Sequence, residues 1–170
     1  MNWHVSYRCD PRVGELADRH YSRQSVGAAN FVPPGRCLVL RCAGAYWVTS
    51  WQKYVKHAWA GAWVCSAFRN ERPDLYLSSD LVREAVAATL ARWPEAPDLG
   101  MITFVDRSKT RHKRDPGRCF RKAGFQHVGE TKGGLIALQL LPQDMPEPCS
   151  AIGTQGDLFA VAPCTVGGGE

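Results

Sequence analysis

Two adjacent polar side chains and a distant carboxylate are the residues whose types could carry acid–base chemistry. His20 and Tyr21 lie at the end of a predicted first helix, beside a loop rich in proline and glycine. An imidazole there could act as a base or a ligand, and a phenol could orient a reacting group. Asp106 ends a short apolar strand, where open α/β sheets usually form their sites, and could accept a proton from an amine or bind a divalent metal. Structural alternatives stay open: a helix-terminal histidine, a surface aromatic, and a turn or cap aspartate.

A second group of polar residues surrounds the start of a long predicted helix. Its apolar positions from Leu81 to Trp93 follow the helical period, and Pro94 ends it. Ser78 and Ser79 are interpreted first as caps of this helix and second as anion ligands. Asn70 leaves a predicted strand beside them, and its amide could donate to a carbonyl or phosphate of a substrate.

The net charge of +5 comes from one segment. Between Arg107 and Lys122, eight cations face one anion, Asp115, which gives +7 there and −2 for the rest of the chain. Such a run is either a solvated face or a set of phosphate contacts, and its position beside Asp106 favours phosphate contacts, whose affinity falls steeply with salt. The candidate phosphate-binding residues are Lys109, Arg111, Lys113, Arg114 and Arg118.

Aromatic side chains cluster in one stretch and could include a stacking surface for a nucleobase, with core packing as the alternative for most of them. They are Trp47, Trp51, Tyr54, Trp59 and Trp63.

The composition indicates the class of protein to which these side chains belong. The 170 residues are 45% apolar and 22% charged, which is typical of a globular protein with one buried core. No apolar run approaches the roughly 20 residues that span a bilayer. The first four residues show no secretory signal, so we expect a cytoplasmic protein without membrane partners. The seven cysteines are scattered without a C-x-x-C pair, so free thiols are expected.

The predicted elements must place the candidate residues together. Their order is strand, helix, hairpin, strand, long helix, strand, short helix and two strands, with Asp10 and Pro11 opening the first helix. This order predicts a single α/β or α+β domain over residues 1–141, with a mixed central sheet flanked by helices. Residues 142–170 are rich in proline and glycine without periodicity and are predicted to form a flexible tail.

The segment Pro116–Phe125, followed by residues 127–129, closely resembles the last helix and strand of the GNAT acyltransferases. In it Gly124 supplies a left-handed helix end. With the element order, this resemblance implies a GNAT-like fold. The chain departs from the family in two places. Residues 72–79 contain no glycine of the kind that holds the coenzyme A pyrophosphate, and Arg118-Cys119 replace a tyrosine that often protonates the departing thiolate.

Further blocks resemble the Mom-type branch of this superfamily, phage proteins that modify DNA bases. The blocks are His20-Tyr21-Ser22, Phe68-Arg69-Asn70-Glu71, Ser78-Ser79, and Phe104-Val105-Asp106 with the basic loop into Asp115-Pro116-Gly117. The resemblance implies addition of a carbamoylmethyl or acetamido-type group to the N6 amine of adenine in double-stranded DNA, with the base flipped out of the duplex. It implies Tyr21, Asp106 and His20 as catalytic residues, and Ser78, Ser79 and Asn70 as cofactor-binding residues.

The cofactor stays open at this point. Acetyl-CoA or a related acyl donor is possible, and so is iron at an oxygen-rich site of Tyr21 and Asp106, although no metal-binding spacing supports iron. In the tail, residues 155–159 resemble the peptide by which many bacterial and phage proteins bind the replicative sliding clamp, with Gln155, Leu158 and Phe159 as its contacts.

Two other functions remain open. One is an acetyl-CoA-dependent N-acetyltransferase acting on an amine of a hypermodified base or a small molecule. The other is a non-catalytic accessory protein that binds DNA or the clamp.

Overall fold

The computed structural model describes residues 1–51, 58–110 and 115–153, which form seven strands and three α-helices. In chain order the elements are β1 (His4–Ser6), α1 (Pro11–Asp18), β2 (Arg36–Cys42), β3 (Ala45–Trp51), β4 (Trp63–Asn70), α2 (Ser78–Arg92), β5 (Met101–Val105), α3 (Arg118–Lys122), β6 (Gln126–Glu130) and β7 (Ile136–Leu140). The predictions that concern Tyr54, Arg111, Lys113, Arg114, Gln155, Leu158 and Phe159 lie outside the described residues.

The strands form one mixed sheet in the order β1-β2-β3-β4-β5-β7-β6. Neighbouring strands are antiparallel except β4 and β5, which run parallel. The prediction of one α+β domain with a mixed central sheet is therefore confirmed. Within the described ranges, no helix is long and apolar enough to cross a membrane.

Helices cover both faces of the sheet. Alternate residues of a strand point to opposite faces, and in β3 Tyr46 and Val48 pack with Val13 of α1, whereas Trp47 packs in the larger core formed with α2 and α3. The predicted opening of α1 is confirmed, because the Asp10 side chain accepts a hydrogen bond from the Arg12 backbone N–H and Pro11 follows Asp10 directly.

The parallel pair of β4 and β5 is short, and this determines where the molecule opens. Pairing covers only Trp63–Cys65 opposite Met101–Thr103. On the other edge of β4, Val48 of β3 pairs with Ala67 and Thr49 pairs with Cys65, so Ser66 is one extra residue in β4. Such a bulge bends its strand and interrupts the ladder. From Ser66 onward β4 and β5 separate.

The start of α2 differs from the predicted one. Ser78 and Ser79 are its first helical residues, Leu77 occupies the N-cap position, and no side chain caps the helix. The capping interpretation of the two serines is therefore wrong. The Ser78 hydroxyl instead accepts a hydrogen bond from Asn70 Nδ2 at 3.2 Å, which ties it to the end of β4.

The chain continues to pack beyond residue 141, where we placed the domain boundary. Residues 142–144 form a 3₁₀ turn, and the Cys149 N–H donates to the Ala87 carbonyl of α2 at 3.2 Å. Ala151 is buried, and Ile152 exchanges main-chain hydrogen bonds of 2.9 Å with Trp3 and Val5 beside β1. Such long-range contacts leave no periodic signal in a stretch rich in proline.

A chain of buried hydroxyl groups connects β3 to α2. Trp47 Nε1 donates to Thr49 Oγ1 at 2.6 Å, the Thr49 and Thr89 hydroxyl oxygens are 2.9 Å apart, and Thr89 Oγ1 donates to the Ala85 carbonyl at 2.7 Å. Because the Thr89 proton goes to Ala85, Thr49 donates to Thr89 and accepts from Trp47. Within this network, the Trp47 N–H and the hydroxyl groups of Thr49 and Thr89 therefore all have hydrogen-bond partners.

We expect Thr49→Val to lower the free energy of unfolding by about 1–3 kcal/mol, because it leaves the buried Trp47 N–H without an acceptor. Thr89→Val is the matched comparison. It should lower the free energy of unfolding by less, because the Thr49 hydroxyl still accepts the hydrogen bond from Trp47. Urea denaturation of the two variants measures both losses. A larger loss for Thr89→Val would contradict the assigned direction of the chain.

Asp10 predicts a pH dependence of stability. Its side chain is 1% exposed, it accepts hydrogen bonds from Arg12 and Ser6, and it lies 3.4 Å from the Arg41 guanidinium. The hydrogen bonds from Arg12 are the main reason that the pKa of Asp10 lies below its ordinary value of 3.8. A carboxyl with a lowered folded-state pKa stabilises the fold above its ordinary pKa, and this contribution is lost as the pH falls through the lowered value.

We therefore expect Asp10→Asn to lower the free energy of unfolding at neutral pH, and the gap between wild type and variant to narrow below pH 3.8. Denaturation curves of both proteins across this range measure the gap. A gap that does not change with pH would show that the Asp10 charge contributes nothing.

Candidate active site

A cavity of about 670 Å³ opens where β4 and β5 separate. One wall is β4 from Val64 to Asn70, and the opposite wall is the chain from Thr103 to Asp106. The turn at residues 20–22 after α1 and the first residues of α3 close the other sides. The extra residue Ser66 therefore places the cavity, because β4 bends away from β5 at that point.

The structure brings five of the predicted site residues to this cavity: His20, Tyr21, Asn70, Ser78 and Asp106 all line it. The two described candidates for phosphate contact, Lys109 and Arg118, are exposed and do not line the cavity. They are the chain neighbours of the lining residues Thr110, Gly117 and Cys119. Ser79 is in the first turn of α2 and is not part of the lining.

Tyr21 lines the cavity. The residue is 40% exposed, and its hydroxyl group is hydrogen-bonded to the backbone of Asp106. Burial is the main cause that raises the pKa of Tyr21 above its ordinary value of 10.0, and the Asp106 backbone hydrogen bond opposes it in part. Tyr21 therefore keeps its proton at neutral pH and can donate it.

His20 is held in one orientation by its neighbour Ser22. The Ser22 backbone N–H donates to His20 Nδ1 at 3.2 Å, and Ser22 Oγ lies 2.7 Å from the same nitrogen. With Nδ1 accepting, the neutral ring carries its proton on Nε2. The ring stacks on Tyr21 with centroids 4.5 Å apart and meets Tyr46 edge-on at 6.3 Å. This tautomer suits His20 to donate a hydrogen bond rather than to act as a base.

The Asp106 carboxylate caps the turn that follows it. Its Oδ1 accepts from the Ser108 N–H at 2.8 Å, the Ser108 hydroxyl at 2.6 Å and the Lys109 N–H at 3.2 Å. The Ser108 hydroxyl is the main cause that lowers the pKa of Asp106. These contacts support the turn interpretation and make Asp106 a weak base. Among the described residues, these hydrogen bonds to the carboxylate all go to Oδ1.

Asn70 uses its side chain to join the end of β4 to α2. Its Nδ2 donates to the Tyr76 carbonyl at 2.9 Å and to Ser78 Oγ at 3.2 Å, and its Oδ1 accepts from the Arg72 N–H at 2.9 Å. The amide is therefore occupied by the protein itself. The contacts indicate that Asn70 shapes the cavity wall rather than holding a ligand.

The aromatic surface differs from the predicted one. Trp47 and Trp63 are fully buried, so a stacking role for these two is wrong and core packing is confirmed. Trp51 also packs inward, with its ring 6.2 Å from Trp63 and 5.9 Å from Trp93. The aromatic side chains that do line the cavity are Tyr21, Phe68, Phe104 and Phe120.

Two thiols at the cavity were not assigned a role from sequence. Cys65 is the last residue of β4 that pairs with β5, and Cys119 is in α3. Cys65 is buried, and this burial raises the pKa of its thiol well above the ordinary range. Cys119 is partly exposed, at the position where the resemblance places a proton-donating tyrosine. That departure was the only signal in the sequence for either residue.

A glycine places α3 and its Cys119 against the cavity. Gly117 has φ +78, and a Cβ atom there would lie 2.7 Å from Leu138 Cδ1. A side chain at this position would therefore meet both backbone strain and a core clash. Arg121 reinforces the turn, because it forms an ion pair with Asp115 and donates to the Pro116 carbonyl at 3.0 Å.

The described residues do not fit an iron site. Among them, no group of three or more His, Cys, Asp or Glu side chains could hold a metal ion. Tyr21 interacts with the backbone of Asp106, and Oδ1 of that carboxylate caps a turn.

Comparison of the chain with protein-family models, curated proteins and solved structures gives no match.

The accessibility of the cavity can be measured through its cysteines. We expect a thiol reagent to label the exposed Cys9 and Cys149 first and the partly exposed Cys119 next. Cys65 and Cys42 should react last, because both are buried and burial raises the pKa of Cys42 to about 11. Site-resolved mass spectrometry of the native protein gives the order. Labelling of Cys65 before Cys119 would contradict the described wall.

Proposed function

We propose that this protein is a Mom-like transferase of GNAT-like fold that modifies a base amine in DNA. The modification is addition of a carbamoylmethyl or acetamido-type group to the N6 amine of adenine. The observation that carries the proposal is the cavity between β4 and β5, which is lined by His20, Tyr21 and Asp106. The strand order, with one parallel pair at the cavity, supports the fold assignment.

The lining suits an uncharged aromatic group. Its described ions are few, and they are engaged: Asp106 caps a turn and Arg69 donates to Glu71 at 2.6 Å. The rest is mainly apolar, hydroxyl and thiol groups, and it includes the aromatic rings of Phe68 and Phe104. A flipped adenine is uncharged and aromatic and would suit this lining. The phosphates of the DNA strand are charged and would stay outside the cavity, where Lys109 and Arg118 could bind them.

The transfer joins the N6 nitrogen to a carbon of the donor. The N6 lone pair forms the new bond, and the electron pair of the bond between that carbon and the leaving group departs with the leaving group, which takes up a proton from an acid of the site. The proton that N6 loses then restores that acid. Tyr21 keeps its proton at neutral pH, so its phenol is the group that can protonate the leaving group. His20, with its proton on Nε2, can donate a hydrogen bond to the adenine or the donor.

The proposal does not specify coenzyme A as the donor. Asp80 lies in the first turn of α2 and opposes a pyrophosphate at that helix end. The proposed partners are double-stranded DNA and, through Gln155, Leu158 and Phe159, the sliding clamp, with the cytoplasm as the place of action.

Nucleoside mass spectrometry tests the proposal. DNA from cells that express the protein is digested, and we expect a modified deoxyadenosine that is absent from cells without the protein. Tyr21→Phe should reduce it by about 10²–10⁴-fold, the usual contribution of a positioned proton donor. Tyr7→Phe is the matched control, because Tyr7 is 57% exposed and does not line the cavity.

Asp106→Asn separates the two roles of Asp106. An asparagine can still cap the turn, so activity should persist if the carboxylate only positions the rim and should be lost if it is a base. Unaltered nucleosides from cells with folded wild-type protein would overturn the proposal. Tight acetyl-CoA binding by calorimetry would then favour an N-acetyltransferase, and salt-sensitive DNA binding that survives Tyr21→Phe would favour an accessory protein.

A further inference from the structure

Three charged side chains join the end of α1 to the end of β4. Arg19, the residue after α1, donates from Nε and Nη2 to the two Glu71 carboxylate oxygens, each at 2.8 Å. Arg69 in β4 donates from Nε to Glu71 Oε1 at 2.6 Å. Arg19 is the first cause that lowers the pKa of Glu71 to about 2, so this network, the Arg19–Glu71–Arg69 clamp, is charged across the physiological range.

The clamp also holds the main chain at the cavity. Arg69 Nη1 donates to the carbonyl oxygen of Arg19 at 2.6 Å, which is the peptide group that leads into His20. The next two residues, His20 and Tyr21, line the cavity. A hydrogen bond to the Arg19 carbonyl therefore helps to fix the positions of the His20 and Tyr21 rings, which stack on each other.

The other side of the clamp is anchored in the sheet. Arg69 pairs with Tyr46 of β3, and the Glu71 N–H donates to the Gly44 carbonyl in the β2–β3 turn at 2.8 Å. The main-chain bonds of the turn after α1 are local: the His20 N–H donates to Ala17 and the Arg23 N–H to His20, each at 2.9 Å. Its side chains also contact Tyr46 and the Asp106 backbone. The described contacts thus link a turn to a rigid strand end.

We infer that Glu71 and Arg69 are positioning residues, which hold the His20–Tyr21 turn over the cavity so that the Tyr21 hydroxyl reaches the Asp106 backbone. Neither residue needs to touch the reacting atoms. The role in catalysis rests on the proposed function, but the link between the clamp and the turn does not.

Hydrogen exchange tests the link without any substrate. Removing the charge in Glu71→Gln should speed exchange of the His20, Ser22 and Arg23 amides about two- to fivefold, the range expected for loss of a partly exposed ion pair. The amides of α2 should not change. Asp74→Asn is the matched control, because it removes the same charge from the Arg72–Asp74 pair, which lies in the loop before α2.

Unchanged exchange at the three amides in Glu71→Gln would overturn the inference. If Glu71→Gln is too unstable to measure, Arg19→Lys keeps the charge but loses the two-oxygen contact, and it should still speed exchange at the same amides. No effect there would also overturn it.

Activity distinguishes positioning from a general structural effect. On DNA as substrate, Glu71→Gln should lower kcat more than it raises KM, because the Tyr21 hydroxyl is misplaced while the basic segment is unchanged. A change in KM alone would overturn the positioning role. If the wild-type protein modifies no nucleoside, the proposed function falls, and the exchange experiment still decides whether the clamp holds the turn.

Discussion

The extra residue Ser66 in β4 is the constraint on which the candidate site depends. Parallel strands that stay paired leave no room between them, and here the ladder ends at Cys65 and Thr103 because the bulge bends β4 away. The main-chain groups and side chains beyond that point then face a cavity instead of a neighbouring strand. The hydroxyl chain from Trp47 through Thr49 to α2 lies directly beside the bulge, so a buried and fully bonded network supports the strand where it departs from regular geometry.

The contacts at the cavity determine which protonation state each of its polar residues favours. Asp106 has the residue type of a base, yet three donors converge on one of its oxygens and favour its ionised form. Tyr21 has the opposite condition, since burial favours its neutral form. A site with a stable anion that caps the rim and a phenol that retains its proton is suited to proton donation more than to proton abstraction.

Sequence patterns predicted the features that depend on neighbours along the chain. The Asp10–Pro11 helix start and the mixed sheet follow from local capping, periodicity and element order. His20, Tyr21 and Asp106, which the family resemblance singled out, line one cavity. The bulge did not, because Ser66 is an ordinary strand residue whose extra position exists only relative to β3. Likewise, Ser78 has the sequence signature of a cap, but its hydroxyl is taken by Asn70, a residue on another element.

The walls of the cavity are held by different forces, and this difference bears on how the site could change. The β4 and β5 walls are extensions of the buried core, so substitutions there would cost folding stability. The His20–Tyr21 turn is joined to β4 by the Arg19–Glu71–Arg69 clamp, whose side chains are between 29% and 51% exposed. Partly exposed ion pairs contribute little to global stability. The turn that presents the phenol can therefore be repositioned by surface substitutions while the core that forms the cavity remains intact.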